Sequence, residues 1–89
     1  MEVANYPSAR KRGFTDAQIV AAWDSGQANE CWLDGREPRR YLRIGWDQSG
    51  AELETVALVF DDRRVLIHHC MKARKSSWRL VEHAQRRKQ

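Results

Sequence analysis

The hydrophobic pattern of this chain switches near Glu30 from helical spacing to alternation and keeps alternating through Met71. Side chains repeat every 3.6 residues in a helix and every 2 in a strand, so the switch constrains the chain to a helical opening followed by strands. Residues 31–33 make a short strand, ended by Asp34-Gly35, a dipeptide suited to a tight hairpin turn. Residues 40–46 alternate, with Leu42, Ile44 and Trp46 on one face and Tyr41 and Arg43 on the other. After a turn at 47–50, residues 53–60 place Val56, Leu58 and Phe60 on one face and Thr55, Ala57 and Val59 on the other. Apolar side chains on both faces mark that strand as central. Asp61-Asp62 turns the chain again, and a fourth strand over 64–71 runs through Val65 and Ile67 into His68, His69 and Cys70.

Before the switch, Thr15 and Gln18 stand at capping-box spacing. Ile19, Val20 and Trp23 follow at helical intervals, and Gly26 offers a left-handed stop, so a helix is expected over 15–25. Residues 8–12 could add a short earlier helix that pivots at Gly13. After the strands, Ser76 or Ser77 can cap a final helix that docks Trp78, Val81 and His83 or Ala84 and leaves Arg79, Arg86 and Arg87 outside. These elements describe an α+β fold: an N-terminal helix or helical hairpin, an antiparallel sheet of three to four strands and a C-terminal helix. Both helices are expected on one sheet face, leaving the other open. At 89 residues there is room for a single domain over 1–89, with 1–7 and 86–89 as flexible ends.

Charge is distributed unevenly. Residues 1–62 carry 7 Lys or Arg against 11 Asp or Glu, a balance of −4, whereas residues 63–89 carry 9 against the single Glu82, a balance of +8. Such segregation attracts polyanions to one end of a molecule, which makes RNA or DNA the natural partner. A solvated basic helix and tail is the plainer explanation of the same charges. No apolar run is long enough to span a membrane and residues 1–13 contain no secretory core, so a cytoplasmic protein is expected, with Cys31 and Cys70 as thiols.

The chemistry-bearing residues cluster after the fourth strand as His68, His69, Cys70, Lys72, Arg74 and Lys75. Alternation sends adjacent histidines to opposite faces, so only one should reach the open face. A histidine can take the proton of a ribose 2′-hydroxyl while cations stabilise the attacked phosphate, which suffices for RNA cleavage without metal. Arg40, Tyr41 and Arg43 would join the cluster if their strand lies beside it. Zinc is disfavoured, since His68 and Cys70 form one pair with only the distant Cys31 to help. Of the tryptophans, Trp23 and Trp46 are expected inside, and any exposed one could stack on bases. No phosphate-cradling loop or nucleophile-elbow motif is present.

The order of elements, with Lys11-Arg12-Gly13-Phe14-Thr15 at the helical corner, Tyr41-Leu42-Arg43-Ile44-Gly45 in a strand and Ala73-Arg74-Lys75 before Trp78-Arg79, resembles BrnT-like ribonuclease toxins. The resemblance runs over nearly the whole chain. It implies a RelE-like fold and an endoribonuclease of a type II toxin–antitoxin pair that blocks translation by cutting RNA. It also implies an acidic, DNA-binding antitoxin as partner in a hetero-oligomer. Two departures stand out: the family's opening aromatic-acidic-Trp-Asp segment is missing from residues 1–7, and Lys72 stands where the family has Ser. The active set expected from the charge split and the cluster is Arg43, His68 or His69, Lys72 and Arg74, with a histidine as base or acid, with Arg40, Lys75, Trp78 and Arg79 binding RNA, and with no cofactor and no metal. The other readings are a small non-catalytic RNA- or DNA-binding module and an interaction domain that grips an acidic protein.

Overall fold

A computed structural model describes residues 2–34 and 37–87, of which Glu2 is described in its backbone alone. The Gly35 half of the expected hairpin turn and Lys88 of the basic tail therefore lie outside the described residues. In chain order the elements are β1 (Glu2–Asn5), a 3-10 turn (Pro7–Arg10), α1 (Asp16–Ser25), β2 (Glu30–Trp32), β3 (Arg39–Trp46), β4 (Glu52–Val59), β5 (Arg64–Lys72) and α2 (Lys75–Arg87). The strands form one sheet in the order β1-β5-β4-β3-β2. β1 runs parallel to β5 and every other pairing is antiparallel.

This is an α+β fold with a larger, mixed sheet than the alternation implied, and it opens on a strand rather than a helix. Residues 1–7 had been expected as a loose end, yet Val3 and Ala4 pair with Val65 and Leu66. The earlier helix is reduced to the 3-10 turn, whose Ala9 is fully buried. α1 is where the spacing put it. Thr15 Oγ1 accepts from Gln18 N at 3.1 Å and the Thr15 N–H donates to Gln18 Oε1 at 2.9 Å, so two amides otherwise orphaned at a helix start are satisfied.

Gly26 ends α1 for a different reason than expected. Its φ is −89°, outside the left-handed region, and what matters is its size: a Cβ there would sit 3.0 Å from Arg43 Cβ and 3.1 Å from the carbonyl oxygens of Ala22 and Ile44. At Gly45 a Cβ would lie 2.6 Å from Ser25 Oγ and 2.8 Å from Gly26 N. The two glycines let the end of α1 rest directly on β3.

The helices lie on opposite faces of the sheet, not on one. α1 packs Ile19, Ala22 and Trp23 against Leu53, Ala57, Val65, Ile67 and Cys70. α2 packs Val81, with Trp78 and Ala84, against Cys31, Leu42, Ile44 and Val56. β3 and β4 thus feed both cores by alternation, as the apolar pattern of the central β4 required. Cys31 and Cys70 belong to different faces and form no disulfide. Trp23 is buried as expected, but Trp46, at the end of β3, is 38% exposed. No described helix is long and apolar enough to cross a membrane.

Candidate functional site: a basic basin beside a bulged strand

The position of the two histidines depends on a break in register. Val56 pairs with His69 and Ala57 with Ile67, so His68 is an extra residue on β5 without a partner on β4. A bulge of this kind shifts the alternation by one. Val65 and Ile67 belong to the α1 core before the bulge, and Cys70 belongs to it afterwards. His68 and His69 consequently share the α2 face, which corrects the expectation that strand alternation would separate them. The carbonyl that the bulge frees at His68 accepts a hydrogen bond from Ser8 Oγ at 2.8 Å, and Tyr6 N donates to Ile67 O at 2.8 Å. These two bonds carry the N-terminal segment along β5.

Both histidines line an open basin of about 410 Å³ with Ser8, Lys11, Arg12, Leu33, Arg40, Val56 and Arg74. Its cations come from three separate parts of the chain: the corner after the 3-10 turn, β3 and the residue just before α2. Arg40 also pairs with Asp34 at 2.8 Å.

Glu54 lies behind the basin lining, in contact with two of its residues, His69 and Arg74. It is fully buried on β4, where a charge survives only with several hydrogen-bond partners. Its Oε2 accepts from Arg74 Nη2 at 2.8 Å and faces His69 Nε2 at 3.1 Å. Its Oε1 accepts from Ser77 Oγ at 2.7 Å, from Arg74 N at 3.0 Å and from Arg74 Nε at 3.1 Å. Burial pushes the pKa of this carboxyl up, but the hydrogen bonds from His69, Arg74 and Ser77 outweigh it and hold the group well below the usual carboxylate range. Ser77 therefore does not cap α2. Its hydroxyl is spent on Glu54, and the carboxylate from β4 holds the amide that precedes the helix.

The His68 pKa is lowered by burial, with the charges of His69 and Arg40 acting in the same direction. Its Nε2 is buried without a hydrogen-bond partner. A neutral imidazole is thus available near neutral pH, walled by cations.

The other expected site residues stand elsewhere. Arg43 lies on the α1 face, where Nε meets Glu30 Oε1 at 2.8 Å, Nη1 donates to Trp23 O at 3.1 Å and the guanidinium stacks 4.0 Å over the Trp23 ring. It is part of the core's edge, not of the basin. Lys72 pairs with Leu53 across the sheet, and Leu53 belongs to the α1 core, so Lys72 projects from the face opposite the histidines. Lys75 and Arg79 are exposed on α2 and do not line the basin. Trp78 packs on the α2 core, and its indole N–H donates to Glu52 Oε1 at 2.6 Å. Among the described cations of residues 63–87 only Arg74 lines the basin, so they do not by themselves form the cradle expected of the C-terminal basic third.

The sequence reading missed Ser8, Lys11, Arg12, Glu54 and Ser77. One signal for Glu54 was present, a lone acid inside the otherwise buried stretch Leu53-Glu54-Thr55-Val56. A carboxylate in a central strand requires partners, and those partners proved to be His69 and Arg74. Among the described residues no three His, Cys, Asp or Glu side chains converge as a metal ion would require. Comparisons with protein-family models, with curated proteins and with solved structures found no match.

Proposed function

We propose that the chain is a metal-independent endoribonuclease and that it acts as the toxin of a toxin–antitoxin pair. The observation that carries this reading is the convergence of His68 and His69 with Lys11, Arg12, Arg40 and Arg74 in one open basin. A phosphodiester placed there would have cations on its non-bridging oxygens and imidazole within reach of the adjacent ribose. One imidazole takes the 2′-hydroxyl proton as that oxygen attacks phosphorus. The P–O5′ bond breaks and the departing O5′ takes a proton from the imidazolium just formed, leaving a 2′,3′-cyclic phosphate, a free 5′-hydroxyl and the imidazole neutral again. All the groups this step needs are side chains of the chain itself.

The resemblance to BrnT-like toxins supports the biological half of the proposal and extends it to a RelE-like fold and an acidic, DNA-binding antitoxin that closes the basin. The site differs from the set expected from the charge split and the cluster, with Lys11 and Arg12 in place of Arg43 and Lys72. A second reading, a non-catalytic RNA-binding module, draws on the exposed Lys75, Arg79, Arg86 and Arg87 along α2. These residues offer phosphate contacts outside the basin.

The test is incubation of purified protein with RNA in excess chelator. Fragments ending in 2′,3′-cyclic phosphate are expected, and they should disappear when both histidines are replaced by Gln. Retarded but intact RNA at high protein concentration would replace the nuclease by the binding module, and absence of salt-sensitive binding would dismiss both. A neighbouring reading frame for a short DNA-binding protein is the expected genetic context of the toxin.

A further inference from the structure

Two histidines line the basin, and the protein treats them differently. His68 is the unpaired residue of the bulge, and its Nε2 meets no partner. His69 remains in the ladder opposite Val56, and its Nε2 is 3.1 Å from Glu54 Oε2. A carboxylate ionised across the neutral range can only accept, so the proton of that contact belongs to His69 Nε2. Fixing Nε2 as N–H leaves Nδ1 as the nitrogen of a neutral His69 that carries the lone pair. The same carboxylate grips Arg74 through Nε and Nη2, leaving Nη1 outside this two-pronged contact.

We infer that Glu54 is the positioning residue of the basin: it holds His69 in the Nε2–H form with Nδ1 as its proton-exchanging atom, and it holds Arg74 beside it as a phosphate ligand. The chemical part of this inference rests on the nuclease reading, while the geometric part stands on the contacts alone. It assigns the proton transfer to His69 and gives His68 the lesser task of shaping the wall against which the ribose lies. The base step is then simple. Nδ1 accepts the 2′-hydroxyl proton, and the imidazolium that results is stabilised by the anion already in contact with its Nε2–H.

Nitrogen-correlated NMR of the wild-type histidines at neutral pH tests the geometry directly. His69 is expected as the Nε2–H tautomer, and an Nδ1–H tautomer overturns the inference whether or not RNA is cut. In cleavage assays, His69→Gln and Glu54→Gln are expected to lower kcat on the order of 10²–10⁴-fold, as loss of a proton-transfer group or of the carboxylate that orients it does in other enzymes. His68→Gln should cost no more than about tenfold, expressed in KM. A kcat in Glu54→Gln equal to wild type, or a larger kcat loss in His68→Gln than in His69→Gln, overturns the assignment. Ser77→Ala removes one hydrogen bond from the carboxylate without touching His69; it should keep the tautomer and most of kcat, whereas a loss equal to that of Glu54→Gln would reduce Glu54 to an anchor for α2. If Glu54→Gln does not fold, the wild-type tautomer and the two histidine variants still decide. Wild-type protein that shows the Nε2–H tautomer and cuts no RNA refutes the nuclease reading instead.

Discussion

The two faces of the sheet are built from the same strands and have been put to different uses. On the α1 face the helix lies across β3, β4 and β5 over Leu53, Ala57, Val65, Ile67 and Cys70, and nearly every inward residue is apolar. On the α2 face the helix covers Cys31, Leu42, Ile44 and Val56 toward β2 and β3, and the remainder belongs to Glu54, His68, His69 and the cations around them. The difference teaches that one face can supply most of the apolar burial while the other tolerates a buried carboxylate beside an open basin. The Cys70 thiol shows how closed the first face is, since burial pushes its pKa up to about 11.

The sharpest way to break this comparison is to cut into each core. Ile67→Ala should lower stability by about 2–5 kcal/mol in urea unfolding, and Val81→Ala, which removes two carbons from the α2 core, by about 2 kcal/mol. Equal losses would mean that the faces contribute alike. The next effect concerns the basin. Reversing Lys11 and Arg12 to Glu should weaken RNA binding by about 10- to 100-fold and flatten its salt dependence, while Lys72→Glu on the opposite face should change affinity by less than about threefold. If Lys72 proves the stronger determinant, the site is on the wrong face.

A smaller effect, about 1 kcal/mol, is expected from Thr15→Ala, which removes the cap on α1 but leaves both cores intact. The last test uses pH. The Glu54 pKa is depressed in the folded state, so the stability it contributes is complete above its unfolded value near 4.5 and drains away as the pH falls below it. Acid unfolding of Glu54→Gln should therefore be shallower than that of wild type below about pH 4.5. Identical acid limbs would remove Glu54 from the account of the α2 face.

Much of the fold could be read from the residues. The Thr15-Gln18 pair located α1, and alternation located β2 to β5, because both signals come from neighbours in the chain. β1 escaped notice because its partner lies 62 positions further on, as in the pairing of Val3 with Val65, and a four-residue edge strand has too little pattern of its own. The bulge at His68 escaped too. A one-residue slip appears only as a change of phase between Ile67 and Cys70, and two polar rings in between conceal it. The error on Arg43 has a different origin. Alternation correctly grouped it with Tyr41 away from Leu42 and Ile44, but which face would hold the histidines was decided by the bulge.

The pairing of the first strand with the fifth has a consequence for how the molecule is made. β1 is made well before β5 and has no partner until β5 exists, and the corner bearing Lys11 and Arg12 is moored to β5 through Ser8 and Tyr6. A chain halted on the ribosome before Arg64 therefore lacks both the histidines and the mooring for their cations. Whatever this basin does, it can begin only once the fifth strand has been delivered and the first has paired with it.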